Sequence, residues 1–193
     1  NKDIVIDNAV EDENIDLKEN MNDILGEEIK INNFYKEVIE TNNNNHTNFA
    51  RWNYEKYPSP ATIRQAILEG EQYICKYRDI IVGAFVLNKD PQGNYQKYGK
   101  WTILIREGEY YIIHAFAVSP EKTQNGVGKF MINFIKQKAK FDHIPSVRTD
   151  VFYDNRPAIT LLESMCFRCV GEGDLDRYDI IGVNTFKLYE YNI

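Results

Sequence analysis

Apolar and polar positions along this chain follow two periods, near 3.6 and near 2, and the switches between them mark its elements. Ile4-Val5-Ile6, a β-branched run before Asp7-Asn8, predicts a first strand. Helical spacing predicts a helix from about Glu13 to Glu40, broken near Gly26, with the asparagines Asn42–Asn45 ending it as a loop. Ser59-Pro60 opens a second helix, because the hydroxyl can cap the first turn and a proline N–H would go unbonded there anyway. That helix runs to Glu69 with Ile63, Ala66, Ile67 and, at the margin, Leu68 on its buried stripe, and stops at Gly70.

Further along, Tyr73–Tyr77 and Ile80–Leu87 predict a hairpin turning at Arg78-Asp79. Lys89–Lys100 reads as a polar loop, and Trp101–Arg106 as a short strand before the turn signal Gly108. Tyr110–Val118 is a long β-prone strand that Ser119-Pro120 ends. Gly126–Phe141 is an amphipathic helix with Val127, Phe130, Met131, Phe134, Ile135 and Lys138 at helical spacing. A strand at Ser146–Phe152, a helix at Pro157–Met165 and strands at Arg168–Gly171 and Thr185–Tyr191 complete the chain. Strands and helices interleave, and neither a repeat nor a Pro/Gly/Ser-rich linker interrupts them. The expectation is a single domain over 1–193 of mixed α/β class (α+β mixed).

Composition narrows the function. With 43% hydrophobic and 13% aromatic residues, 193 residues supply enough material for a sizeable core. The net charge of −6 is concentrated at the start: residues 1–30 hold ten acidic and three basic side chains. The rest is close to neutral without a basic stripe, which argues against nucleic acid as a partner. No apolar run reaches membrane-spanning length, and the acidic start lacks the layout of a secretory signal, so no membrane partner is expected. Three cysteines, Cys75, Cys166 and Cys169, are too few for a disulfide scaffold and fit a reducing, cytoplasmic setting. Cys166 and Cys169 form a C-x-x-C, but Cys75, His46, His114 and His143 offer no paired metal-ligand spacing. No metal is expected, and these cysteines read as packing residues.

The stretch that carries chemistry runs from Phe116-Ala117-Val118-Ser119-Pro120 through a short loop to Gly126-Val127-Gly128-Lys129, which opens a helix. Glycines there let backbone N–H groups approach a ligand, and the helix N-terminus adds unpaired donors and a positive dipole end. Together they make a diphosphate site. The Gly-Lys-Ser/Thr of a phosphate-binding Walker loop and the three-glycine dinucleotide fingerprint are both absent.

On these residues the chain resembles the GNAT superfamily of N-acetyltransferases. Ala117-Val118-Ser119-Pro120 and Thr123–Gly128 are similar to its Ala-Val-x-Pro strand end followed by Arg/Gln-x-x-Gly-x-Gly/Ala. Asn155–Phe167 is similar to its Asn-x-x-Ala-x-x-Leu-Tyr-Glu-x-x-Gly-Phe element. Trp52…Tyr57-Pro58-Ser59, Ile81-Val82-Gly83 and Phe186–Tyr189 follow the same order as in bacterial members. The departures are Thr123 at the Arg/Gln position with Gln124 one place late, Leu162 at the tyrosine that serves as the proposed acid, and Cys166 at the glycine.

The resemblance implies a central, mixed, mostly antiparallel sheet of about seven strands flanked by helices and splayed between the fourth and fifth strands. It implies acetyl-CoA as acyl donor, held by Phe116, Ala117, Val118, Gln124, Asn125, Gly126, Val127, Gly128, Lys129 and Asn155, with the pantetheine arm pairing like a strand along Phe116–Val118. It implies direct attack by a primary amine of a small molecule or peptide, through a tetrahedral intermediate. The alternative is a non-catalytic acyl-CoA-binding or sensing module of the same fold, which Leu162 keeps open. His114 is a candidate base, placed by alternation on the face of Phe116, and Tyr153 a candidate acid. Trp52, Tyr54 and Tyr57 are candidate walls of the acceptor pocket, and Asn155 also suits a helix cap. Homodimers are common in that family, so a homodimer is one expectation.

Overall fold

The structure is a computed structural model that describes residues 4–9, 17–91, 93–122, 126–178, 182 and 184–193, with the side chains of 17–24 and 122 excepted. Its elements are β1 (Ile4–Asn8), α1 (Leu17–Asn44), α2 (Pro60–Leu68), β2 (Gln72–Tyr77), β3 (Ile80–Asn88), α3 (Tyr95–Tyr98), β4 (Tyr111–Val118), α4 (Val127–Phe141), β5 (Ser146–Phe152), α5 (Arg156–Ser164), β6 (Arg168–Asp174) and β7 (Thr185–Asn192). Among the described residues, seven strands form one sheet in the order β1-β2-β3-β4-β5-β7-β6. β4 and β5 pair in parallel, while β1–β2, β2–β3, β5–β7 and β6–β7 are antiparallel. The expected mixed, mostly antiparallel sheet with flanking helices is therefore present. Contacts cluster into two compact units: Asn1–Thr47, Asn53–Val86 and Ala115–Met131 form the first, and Asn48–Trp52, Leu87–His114 and Ile132–Ile193 the second.

In the first unit α1 is one helix, not a pair broken at Gly26, and it continues through Asn42–Asn44. The break expected from a glycine does not occur because a single glycine costs a helix only about 1 kcal/mol, and the long apolar stripe outweighs it. That stripe buries Ile31, Phe34, Tyr35, Val38 and Ile39. The helix ends in a Schellman turn: the Thr47 N–H donates to Asn42 O at 2.7 Å and the His46 N–H to Asn43 O at 3.1 Å, with His46 at φ 56°. The left-handed residue is His46, one place past the asparagine run, so the stop falls at the end of the run instead of its beginning. α2 starts as expected, with Ser59 and Thr62 exchanging backbone and side-chain bonds in a capping box. It buries Ile63, Ala66 and Ile67 and leaves Leu68 exposed. Arg78 and Asp79 are both left-handed, which gives the β2–β3 hairpin a turn whose twist matches its strands.

In the second unit the segment 89–100 is not all loop. It contains α3, whose Tyr95 is buried beside Tyr110, Phe152 and Leu188. Trp101–Arg106 forms no strand, and polar groups of Thr102 and Ile103 within it are bonded to side chains. The Thr102 N–H and hydroxyl both donate to Glu190 Oε2, at 2.9 and 2.6 Å, and Arg148 Nη2 donates to Ile103 O at 3.4 Å. Arg148 is itself buried, its guanidinium 4.0 Å from the Trp101 ring centroid and 3.9 Å from that of Tyr110, with Glu190 Oε1 at 3.5 Å. Cys166 and Cys169 are exposed, so their assignment as packing residues is corrected; Cys75 alone is buried. α4 buries Met131, Ile135 and Ala139 and leaves Phe130 partly in solvent.

Two glycines of β6 let α3 lie against it. A Cβ at Gly171 would stand 2.1 Å from the Tyr98 carbonyl oxygen, and one at Gly173 2.2 Å from the Tyr98 ring. The first obstacle is backbone and cannot rotate away. Gly171→Ala is expected to lower stability by about 1–3 kcal/mol through overpacking, read as a reduced denaturant midpoint in chemical unfolding.

Candidate functional site

The first unit contains most of the predicted coenzyme residues, on the second half of β4 and the start of α4. Within β4 the parallel pairing with β5 runs Tyr111↔Val147, Ile112↔Arg148, Ile113↔Thr149 and then ends, with Thr149 Oγ1 donating to Ile113 O at 3.0 Å. Two residues on, Ala115 takes φ 47°, a left-handed conformation unusual for alanine. The hydroxyl of Tyr35, fully buried on α1, donates to the Ala115 carbonyl at 2.8 Å. Burial pushes the pKa of that hydroxyl well up, so it stays a neutral donor.

Beyond this turn the strand resumes. The Ser119 N–H donates to Val82 O on β3 at 2.9 Å. Backbone groups of successive strand residues point to opposite edges, so Ala117 shares the β3 side with Ser119, and Phe116 and Val118 turn their N–H groups to the other edge. Gly83 confirms the sidedness: a Cβ there would stand 3.2 Å from the Ala117 carbonyl oxygen and 2.6 Å from Met131 Sδ. The Phe116 ring stacks with Phe85 at 6.1 Å. At the end of the following loop Gly126 has φ 83°, and an added Cβ would meet no described atom within 4 Å. In the first turn of α4, Val127 is buried, Gly128 half-buried and Lys129 exposed. Gln124 and Asn125 lie outside the described residues. Tyr54 donates to Asn32 Oδ1 on α1 at 3.2 Å, and Tyr57 is half-buried beside Tyr35.

The second unit contains Trp52, His114, Tyr153 and Asn155. Asn48 brackets the backbone of Trp52, accepting from its N–H at 3.1 Å and donating to its carbonyl at 2.9 Å. Asn155 caps α5, its Oδ1 accepting from the Ala158 N–H at 3.3 Å. Tyr153 is 47% exposed and packs edge-on against Phe152. Leu162, at the family's tyrosine position, is buried in the core. The left-handed Ala115 breaks the alternation on which a shared face for His114 and Phe116 was expected.

His114 is 6% exposed, with Nε2 3.1 Å from Asn88 Oδ1. Burial lowers its pKa to about 4; the nearby Asp150 opposes the shift, Arg177 reinforces it, and a backbone bond and the charge at Asp90 oppose it again. Asp150 is held by Arg177, at 2.9 Å to Oδ2 and 3.3 Å to Oδ1, and by the Tyr95 hydroxyl. Sequence reasoning missed this cluster and Tyr35: a tyrosine in a helix stripe reads as core, and a pair 27 residues apart leaves no spacing signal. The depressed pKa has a consequence for stability. Between about pH 6.5 and 4 the unfolded chain binds a proton at this histidine that the folded chain refuses, so stability is present above 6.5 and is lost as pH falls toward 4. The loss amounts to about 2–4 kcal/mol. His114→Gln is expected to remove this part of the acid sensitivity, read from denaturant unfolding at stepped pH.

Comparisons with known proteins bear on the fold and the family. Crystal structures of GNAT-family acetyltransferases from Listeria monocytogenes and Streptococcus pneumoniae superpose with TM-scores of 0.69 and 0.67, at 16% and 12% identity. The first match covers 98% of this chain and 95% of that one, the second 98% and 99%. The yncA protein of Salmonella typhimurium, solved with its cofactor acetyl-CoA, gives a TM-score of 0.59 at 11% identity, covering 98% of this chain and 94% of that one. No curated protein matches by sequence. The model of the acetyltransferase (GNAT) family matches residues 35–167, more than half of the sequence, from Tyr35 on α1 to Phe167 after α5. The chain belongs to the acetyltransferase (GNAT) family.

Proposed function

We propose that this protein transfers an acetyl group from acetyl-CoA to a primary amine of a small-molecule or peptide acceptor. What supports this reading is the Ser119–Val82 bond, from which strand alternation turns the Phe116 and Val118 N–H groups away from β3, together with the left-handed Gly126 that precedes α4. A thioester arm with amide groups can pair along those N–H groups, and a diphosphate can be gripped at the helix start. Gln124 and Asn125, just before Gly126 in sequence, belong to the same proposed coenzyme contact, as does Asn155 at the start of α5.

The reaction follows from that arrangement. The amine attacks the thioester carbonyl as a free base, and a backbone N–H of the Phe116–Val118 run stabilises the oxyanion. Collapse of the tetrahedral intermediate forms the amide and expels the CoA thiolate. Holding both reactants in place supplies most of the acceleration. His114 is our candidate for the group that receives the ammonium proton. Its depressed pKa keeps it unprotonated at neutral pH, which a base requires, and also makes it a weak proton acceptor. Tyr153, exposed at the end of β5, is our candidate donor to the thiolate, since the buried Leu162 offers no proton. Trp52, Tyr54 and Tyr57 remain the proposed acceptor walls.

The direct test incubates the protein with acetyl-CoA and a panel of primary amines and follows release of free thiol. Coenzyme binding without thiol release from any amine would favour the sensing module instead. Gly126→Asp is expected to weaken CoA binding at least tenfold by placing a carboxylate and a strained side chain against the diphosphate, with isothermal titration as the readout. Unchanged affinity in the folded variant would count against this placement. For the proton transfers, His114→Ala is expected to reduce kcat and remove an acid limb near pH 4 from the rate profile, and an unaltered profile would retire that role.

A further inference from the structure

We propose that Tyr35 is a positioning residue for acyl transfer: by bonding the Ala115 carbonyl it fixes the left-handed turn of β4 that aims the Phe116 and Val118 amides at the thioester. The inference rests on the acetyltransfer reading above and deepens it, because it assigns to α1 a part in the chemical step.

Several observations meet at this one bond. Ala115 stands in a backbone region that an alanine side chain disfavours, so something must hold it there. The bond to its carbonyl, at 2.8 Å, is well formed and links residues 80 apart in sequence, so no local turn supplies it. Tyr35 is fully buried and its ring packs edge-on against Phe34, so the hydroxyl is directed by the helix rather than free to search for a partner. The helix is fixed in turn by Ile31, Val38 and Ile39 in the same buried stripe. On the far side of the turn, the Ser119 N–H bonds Val82 O, which marks the phase that the strand leaves the turn with.

Removing the hydroxyl leaves a buried carbonyl without its donor. The turn can then relax toward extended backbone, where a one-residue change of phase carries the Phe116 and Val118 amides to the other edge. The grip on the diphosphate at Gly126, ten residues after Phe116, does not depend on that phase. The effects on chemistry and on nucleotide binding therefore separate.

The experiment compares the full chain with Tyr35→Phe. Three quantities are read: kcat for the panel amine the wild type acetylates best, the Kd for 3′-phosphoadenosine 5′-diphosphate (the coenzyme fragment without pantetheine), and amide hydrogen exchange at Phe116–Val118 in the CoA complex. The expected result is a kcat at least tenfold lower, a fragment Kd within twofold of wild type, and faster exchange at those amides. A folded Tyr35→Phe protein with unchanged kcat and exchange overturns the proposal, as does a loss of fragment binding in step with kcat. Should Tyr35→Phe not fold, Ala115→Gly is added, since glycine holds a left-handed φ at no steric cost. Recovery of fold and turnover together supports the proposal, because the turn that Tyr35 holds is then restored without it, and a double variant that folds without regaining turnover or stays unfolded overturns it. Wild-type protein that neither binds CoA nor releases thiol defeats the acetyltransfer reading itself, whatever the variant does.

Discussion

A single buried hydrogen bond, from the Tyr35 hydroxyl to the Ala115 carbonyl, holds β4 in a conformation its own sequence does not favour. Ahead of Ala115 the strand is ordinary sheet, paired to β5 and capped by the Thr149 side chain. Past Ala115 its amides are sorted between two edges, one already used by β3. A regular strand here would continue its ladder and offer nothing to a ligand. The left-handed residue converts a structural element into a binding edge without a loop, so the donors stay on rigid backbone. Preorganised donors are worth more than mobile ones, because no reorganisation is needed when charge develops.

The same logic explains why the proposed coenzyme segment contains so few distinctive side chains. Backbone pairing and a helix start ask for shape: a small residue at Gly83 so that Met131 can close in, and an unobstructed left-handed Gly126. A site made of peptide groups tolerates wide variation in sequence, which fits relatives of the same fold at 11–16% identity.

Much of the architecture was legible in the sequence because local signals and tertiary demands agree. The Ser59-Pro60 helix start, the Arg78-Asp79 hairpin and the strand–glycine–helix order around Gly126 each carry their own cause in neighbouring residues. The misreadings fall where distant partners decide. Gly26 breaks no helix, since the buried stripe that follows it outweighs the cost of one glycine. Trp101–Arg106 has the composition of a strand but takes its bonds from Arg148 and Glu190, forty-odd and nearly ninety residues away. The alternation that placed His114 with Phe116 fails at Ala115 for the same reason, because its cause sits on α1. Periodicity describes an element only as long as nothing from outside rotates one of its residues.

The Arg148 sandwich gives that misread segment an unusual character. Irregular backbone on a protein surface commonly breathes, yet this stretch is riveted through a cation lying between two aromatic plates and a carboxylate that takes two bonds from one threonine. Leu104, fully exposed, stands on that riveted stretch. The molecule thus displays an apolar knob on a stiff pedestal, and whatever approaches that face meets a fixed contour.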